Sequence, residues 1–289
     1  MSLCTILVPV TGSRPGSTAL ATAFVVGRRF KAHVEALHVR PDTAASVPVV
    51  GEGLSGSMVD EMIQTAEQEA DSRTQQARQL FDEACRVQGV DEVALPPGPD
   101  GVSAGWRQVN GDEETLVAGY ARIADLTVVG RPDPDADLSG VLESNAALVQ
   151  GGGGVLVSPA RAPEAVGHRV CIAWNGSVES GRAVRAAMPF LETADQVTLL
   201  AAREGGRGAA APGELAAFLA WHGIDARTRY VEPGHHEGIG EALERVAGEH
   251  GCDLFVMGAY THSRLREFIL GGVTRYMLEE ADLTLLMSH

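Results

Sequence analysis

An apolar run, Leu254-Phe-Val-Met, ends on Gly258, and a glycine pair, Gly271-Gly272, follows a short amphipathic stretch. Glycines at a strand end and a helix start let backbone N–H groups come close to phosphate oxygens, and the positive end of the helix dipole favours the same charge. Thr274 lies just past the pair and offers a hydroxyl, and Arg264 and Arg266 lie between the glycines. These residue types in this order suit an anionic, phosphate-bearing ligand. A weaker echo stands earlier in the chain, where Leu126-Thr-Val-Val ends on Gly130. There the following stretch carries Pro132, Pro134 and three carboxylates, Asp133, Asp135 and Asp137. Prolines supply no N–H donor and the carboxylates repel phosphate, so this copy reads as a solvated turn.

The elements that must position these residues also come in two copies. Ile6-Leu-Val-Pro-Val-Thr11-Gly-Ser13 matches Val170-Cys-Ile-Ala-Trp-Asn175-Gly-Ser177. In each, an apolar strand runs into a polar residue, a glycine and a serine suited to cap a helix. The helices are expected to reach about Arg29 and Leu191. Second strands are expected at Val34–Val39 and Gln196–Ala201, then a long polar helix over 57–88 against a short one over 213–222. Third strands follow at 104–109 and 226–231, helices at 113–124 and 238–250, and last strands at 154–157 and 283–287. The first copy is longer, with an insertion near 42–60. Strands alternating with helices predict an α/β fold: two tandem flavodoxin- or Rossmann-like domains, each a five-stranded parallel sheet with helices on both faces. Domain limits of 1–160 and 167–289 follow, joined through a Pro- and Gly-containing connection. In such sheets the ligand crevice opens beyond the strand C-termini where strand order reverses. With the first strand central, Asn175 falls beside Gly258, and Thr11 beside Gly130.

On these residues both halves resemble the universal stress protein family. Its nucleotide-binding members carry Gly-x2-Gly-x9-Gly-[Ser/Thr] after the fourth strand and an Asp at the end of the first. Gly258 and Gly271 match the first and third glycines, Thr261 stands at the second, Gly272 at the Ser/Thr position, and Asn175 at the Asp. In the first half the same spacing brings Glu143 and Ser144 to the last two positions. The resemblance implies ATP held in the second half, with Mg²⁺ accompanying it. The site would comprise Asn175 at the ribose and Gly258, Thr261, Gly271, Gly272 and Thr274 at the phosphates. It implies a sensor or regulator with no catalytic residue, and slow ATP hydrolysis is left open. It also implies pairing through the last strands, as a homodimer or as an intramolecular pseudo-dimer. The competing expectation is a scaffold that binds no nucleotide and serves dimerisation and protein contacts.

Composition narrows the field. With 23 Lys+Arg against 38 Asp+Glu the net charge is −15, which disfavours nucleic acid and anionic membrane as partners. Lys31 is the only lysine, so a P-loop lysine is excluded. No apolar run is long enough to span a membrane and the N-terminus lacks a basic leader, so a cytoplasmic protein is expected. Cys4, Cys85, Cys171 and Cys252 form no CxxC and read as buried free thiols. Gly51-Glu-Gly53-Leu-Ser-Gly56 is a literal GxGxxG, but it lies in the insertion, behind Pro48. His235-His236-Glu237 reads as a polar loop, not a metal site, and Trp106, Trp174 and Trp221 read as core or interface.

Overall fold

The structure is a computed structural model that describes residues 2–42, 56–94, 96, 100–131, 150–202, 210–259 and 272–289. Thr261, Arg264, Arg266 and Gly271, the Asp133–Asp137 turn, Glu143, Ser144 and most of the GxGxxG stretch lie outside these residues.

The first half runs β1 (Thr5–Pro9), α1 (Arg14–Phe30), β2 (His33–Arg40), α2 (Gly56–Gln88), β3 (Ser103–Asn110), α3 (Glu113–Ala121), β4 (Leu126–Gly130) and β5 (Gly154–Ser158). The second runs β6 (Arg169–Ala173), α4 (Val178–Leu191), β7 (Gln196–Ala202), α5 (Pro212–Trp221), β8 (Ala226–Val231), α6 (Ile239–Glu249), β9 (Leu254–Gly258), α7 (Gly272–Glu279) and β10 (Leu285–Ser288). The two expected five-stranded sheets are one ten-stranded sheet, ordered β3-β2-β1-β4-β5-β10-β9-β6-β7-β8. Pairing within each half is parallel, and the halves meet where β5 and β10 pair antiparallel, with Leu286 opposite Leu156. The last strands thus pair inside one chain.

Period-two alternation explains why both faces are covered. Ile6, Val8, Val128, Leu156, Leu286, Val256 and Ile172 pack beneath α1, α2, α4 and α5. Leu7, Val129, Val157, Phe255, Met257, Leu285 and Met287 pack beneath α3, α6 and α7. Strands buried on both sides read as near-continuous apolar runs, as these do. Each core continues across the β5–β10 seam, so the halves share their interior.

Side chains also tie the seam. Arg29 donates to the carbonyls of Val166 (2.8 Å) and Thr193 (2.7 Å), and Phe30 meets Phe190 edge-on at 5.0 Å. Arg131, the residue after Gly130, donates to the carbonyls of Met277 and Leu278 (2.8 Å each) and Leu283 (3.0 Å). It thereby satisfies orphan carbonyls at the α7 C-terminus with a charge of the favoured sign. Burial lowers its pKa, and Asp282 and Glu244 act against that. The position after Gly130 in the first-half loop therefore serves the junction.

Two side-chain expectations are corrected. Cys4 precedes β1 and is exposed, and Cys252 is half-buried, whereas Cys85 and Cys171 are buried. Trp221 is no core residue: it is 91% exposed. Among the described residues no helix is long and apolar enough to cross a membrane.

Candidate functional site

The crevice of the second half forms where β6 and β9 lie side by side, Ile172 opposite Val256, with β7 on the other flank of β6. Beyond β6 the chain passes through Asn175, turns at Gly176 (φ +72°) and enters α4. The positive φ suits glycine because it has no Cβ to collide with the backbone. Ser177 caps the helix, its hydroxyl accepting from Ser180 N at 3.1 Å. Asn175 is exposed, and its Oδ1 accepts from Ser177 N at 3.0 Å. Among the described residues its amide N–H groups have no hydrogen-bond partner, while the oxygen orders the turn.

Gly258 closes β9 against the first turn of α4. A Cβ there would sit 2.6 Å from Ser180 N and 2.8 Å from the Glu179 carbonyl carbon. The residue is small because a helix N-terminus crosses it, which aims the α4 N–H groups at the strand ends. Helix α7 follows β9 in the chain and packs on the face of the sheet opposite α4. Gly272 at its start is exposed, and a Cβ there would meet nothing within 4 Å among the described residues. Open backbone at a helix start can accept a phosphate oxygen. Thr274 is buried within the first turn of α7, at 6% exposure. Arg182 of α4 donates to the His289 carbonyl at 2.9 Å, near Ala259. Glu179, in the first turn of α4, places a carboxylate beside the site.

The first half builds the same frame and then fills it. Gly12 has φ +84°, Ser13 caps α1 by accepting from Gly16 N at 3.4 Å, and a Cβ on Gly130 would overlap the Pro15 carbonyl. Helix α2, 33 residues against 10 in α5, packs onto the turn. A Cβ on Gly12 would be 3.0 Å from Ala77 N and from the Gln76 side chain. His38 fastens the two, its ring nitrogens 2.8 Å from the Val10 carbonyl and 3.0 Å from Thr74 Oγ1 of α2. Burial lowers the His38 pKa, which the Val10 carbonyl and Glu113 oppose and Arg73 reinforces.

Of the site residues expected from sequence, Asn175 lies two residues beyond β6, Gly258 ends the neighbouring β9, and Gly272 and Thr274 stand in the first turn of α7. Thr261 and Gly271 lie outside the described residues. The spacing argument missed a pair at the far ends of the strands. Asp125 accepts from Cys4 N and Thr5 N at 2.9 Å, and Asp253 accepts from the N–H groups of Gly167, His168 and Arg169 at 2.9–3.1 Å. Their recurrence just before Leu126 and Leu254 was the available signal. His235 and His236 lie in an exposed loop, and no group of three metal-ligating side chains occurs among the described residues.

Comparison with known proteins agrees with this architecture. Residues 167–289 match the universal stress protein family. A universal stress protein from Archaeoglobus fulgidus DSM 4304 shares the fold with a TM-score of 0.66 at 14% identity, over 99% of this chain and 98% of that one. A putative universal stress protein from Pseudomonas aeruginosa UCBPP-PA14 gives 0.53 at 13% identity, over 98% of this chain and 92% of that one. A functionally unknown protein from Pseudomonas aeruginosa PAO1 gives 0.52 at 14% identity with the same coverage. At such identities the likeness is one of fold. No curated protein matches the chain. Residues 167–289 therefore belong to the universal stress protein family, and the first half of the chain repeats their fold in tandem.

Proposed function

We propose that the second half binds an adenine nucleotide, ATP with Mg²⁺, and that the protein acts as a sensor or regulator, not as an enzyme. Two observations support this: the first turn of α4 is drawn tightly over Gly258, beside the end of β6 that leads to Asn175, and α7 starts on an exposed Gly272. Each helix start presents N–H groups and a positive dipole end. Asn175 would hold the ribose through its free amide, and Gly271, Gly272 and the N–H groups of α7 would hold the phosphates. Thr261, and Thr274 at the α7 first turn, complete the proposed set. An exposed glycine at the start of α7 suits a phosphate, the part of the ligand that needs open backbone. The first half binds no nucleotide in this reading, because α2 occupies its turn and Arg131 serves the junction.

A second reading has its own support. Asn175 and Gly258 each have a structural task, the Ser177 turn and the α4 crossing, and Glu179 opposes anions. A ligand-free scaffold would keep all three. A thermal-shift titration separates the two. ATP with Mg²⁺ at 100 times its Kd should stabilise the fold by about 2.7 kcal/mol. No shift, and no nucleotide carried through purification, would leave the scaffold.

A further inference from the structure

The two ends of the sheet are finished differently. At the first-half end, β3 is partly covered: Val93 N donates to the Ala104 carbonyl at 2.7 Å, and Ala104 N donates to Asp91 at 3.0 Å. At the second-half end, nothing among the described residues pairs with the outer side of β8. Such an edge presents a row of free backbone donors and acceptors.

The side chains flanking that edge sort by face. Ala226 packs in the core beneath α5, and Val231 in the core beneath α6. Alternation then puts Thr228 and Tyr230 on the α5 side, and Arg227 and Arg229 on the α6 side. On the α5 side Tyr230 is 55% exposed and the helix exposes Phe218 and Trp221. A cleft of about 410 Å³ is bounded by the end of β8 at Arg229, Tyr230 and Glu232 and by Arg245, Glu249 and His250 of the α6 side. Arg245 is engaged by Glu237 at 2.8 Å and Glu249 at 3.2 Å. Arg227 and Arg229 form no ion pair among the described residues, in a chain whose net charge is −15. Charge alone can guard an edge strand against aggregation. It does not account for the exposure of Tyr230 on β8 and of Phe218 and Trp221 on α5, the helix that packs against β8; exposed aromatics of this kind mark interaction surfaces.

We propose that β8 is a docking edge for an extended acidic peptide segment of a partner protein. The segment adds to the sheet as an eleventh strand and alternates apolar with acidic residues. Its backbone pairs with β8, its apolar residues cover Phe218, Trp221 and Tyr230, and its carboxylates meet Arg227 and Arg229. Backbone pairing supplies affinity and the two rims supply specificity. Self-pairing of two β8 edges is disfavoured, because an antiparallel pair centred on Thr228 sets Arg227 opposite Arg229.

The test uses the full chain and a fluorescein-labelled (Val-Glu)4 peptide, with (Val-Lys)4 as control. Anisotropy should show saturable binding of the acidic peptide alone, with Kd below about 1 mM. Amide exchange across 226–231 should slow on binding. Trp221→Ala and the exposed double variant Arg227→Glu/Arg229→Glu should each weaken binding at least about tenfold, with unchanged circular dichroism. Absence of binding, equal binding of the lysine peptide, or full affinity in the double variant would overturn the proposal. Concentration-dependent dimerisation of the chain that is lost in the same variants would also overturn it, by assigning the edge to a second copy. ATP binding is a separate measurement, so neither result stands in for the other.

Discussion

At the residue scale, the conserved logic of the two halves is steric. Gly130 and Gly258 end equivalent strands, and each is crossed by the first turn of the helix that follows the partner strand. Gly258→Ala should therefore cost about 1–3 kcal/mol in denaturant unfolding, the range for an overpacked core position. An unchanged midpoint would show that α4 does not lie against β9. The sequence identified Gly258 through a phosphate motif; the contact with Glu179 and Ser180 was not legible, because it depends on a helix packed from elsewhere in the chain. Asp125 and Asp253 were missed for a similar reason, since their partners lie across a strand pair. His38 makes a pH prediction. Its pKa is lowered by burial, so the unfolded chain binds the proton more readily and stability falls as pH drops below the ordinary value of about 6.5. His38→Gln should flatten the loss between about pH 7 and 5.5 seen in chemical denaturation. An identical slope would remove His38 as its source.

At the element scale, the halves differ through α2, α5 and the residue after each strand-ending glycine. The long polar pattern over 57–88 against the short one over 213–222 was readable, because helix length follows from periodicity. Its consequence was not: the α2 contact with Gly12 is tertiary. Arg131 opens the proline- and Asp-containing stretch after Gly130, and the structure makes it the cap of α7 in the other half. Arg131→Met should leave three carbonyls without that donor and cost about 1–3 kcal/mol, with faster amide exchange across 272–283. Unchanged exchange there would mean that α7 ends without help from the first half. Near α6, Glu237 is held at a pKa of about 2 by Arg245 and the Gly234 N–H. A depressed carboxylate contributes above its unfolded pKa and loses that contribution as pH falls toward 2. Glu237→Gln should thus be less stable than wild type near neutral pH and converge with it in acid.

At the scale of the whole molecule, a single sheet crosses both halves, and its seam is an antiparallel pair centred on Leu156 and Leu286. Internal repeats foretold the two five-stranded units, and family resemblance offered pairing through the last strands. Neither distinguished one chain from two, since periodicity carries no information on which copy of a strand is nearest. Residues 167–289 expressed alone would expose the β10 edge with Leu285, Leu286 and Met287. Sedimentation should find this fragment self-associated, and a stable monomer would count against the seam as a sticky edge. The central claim is an asymmetry: one crevice kept for nucleotide, its twin filled by α2. Calorimetric titration of the full chain with Mg²⁺-ATP tests it most directly. The account predicts one equivalent bound per chain, abolished by Gly271→Asp; zero equivalents, two, or binding that survives Gly271→Asp would contradict it.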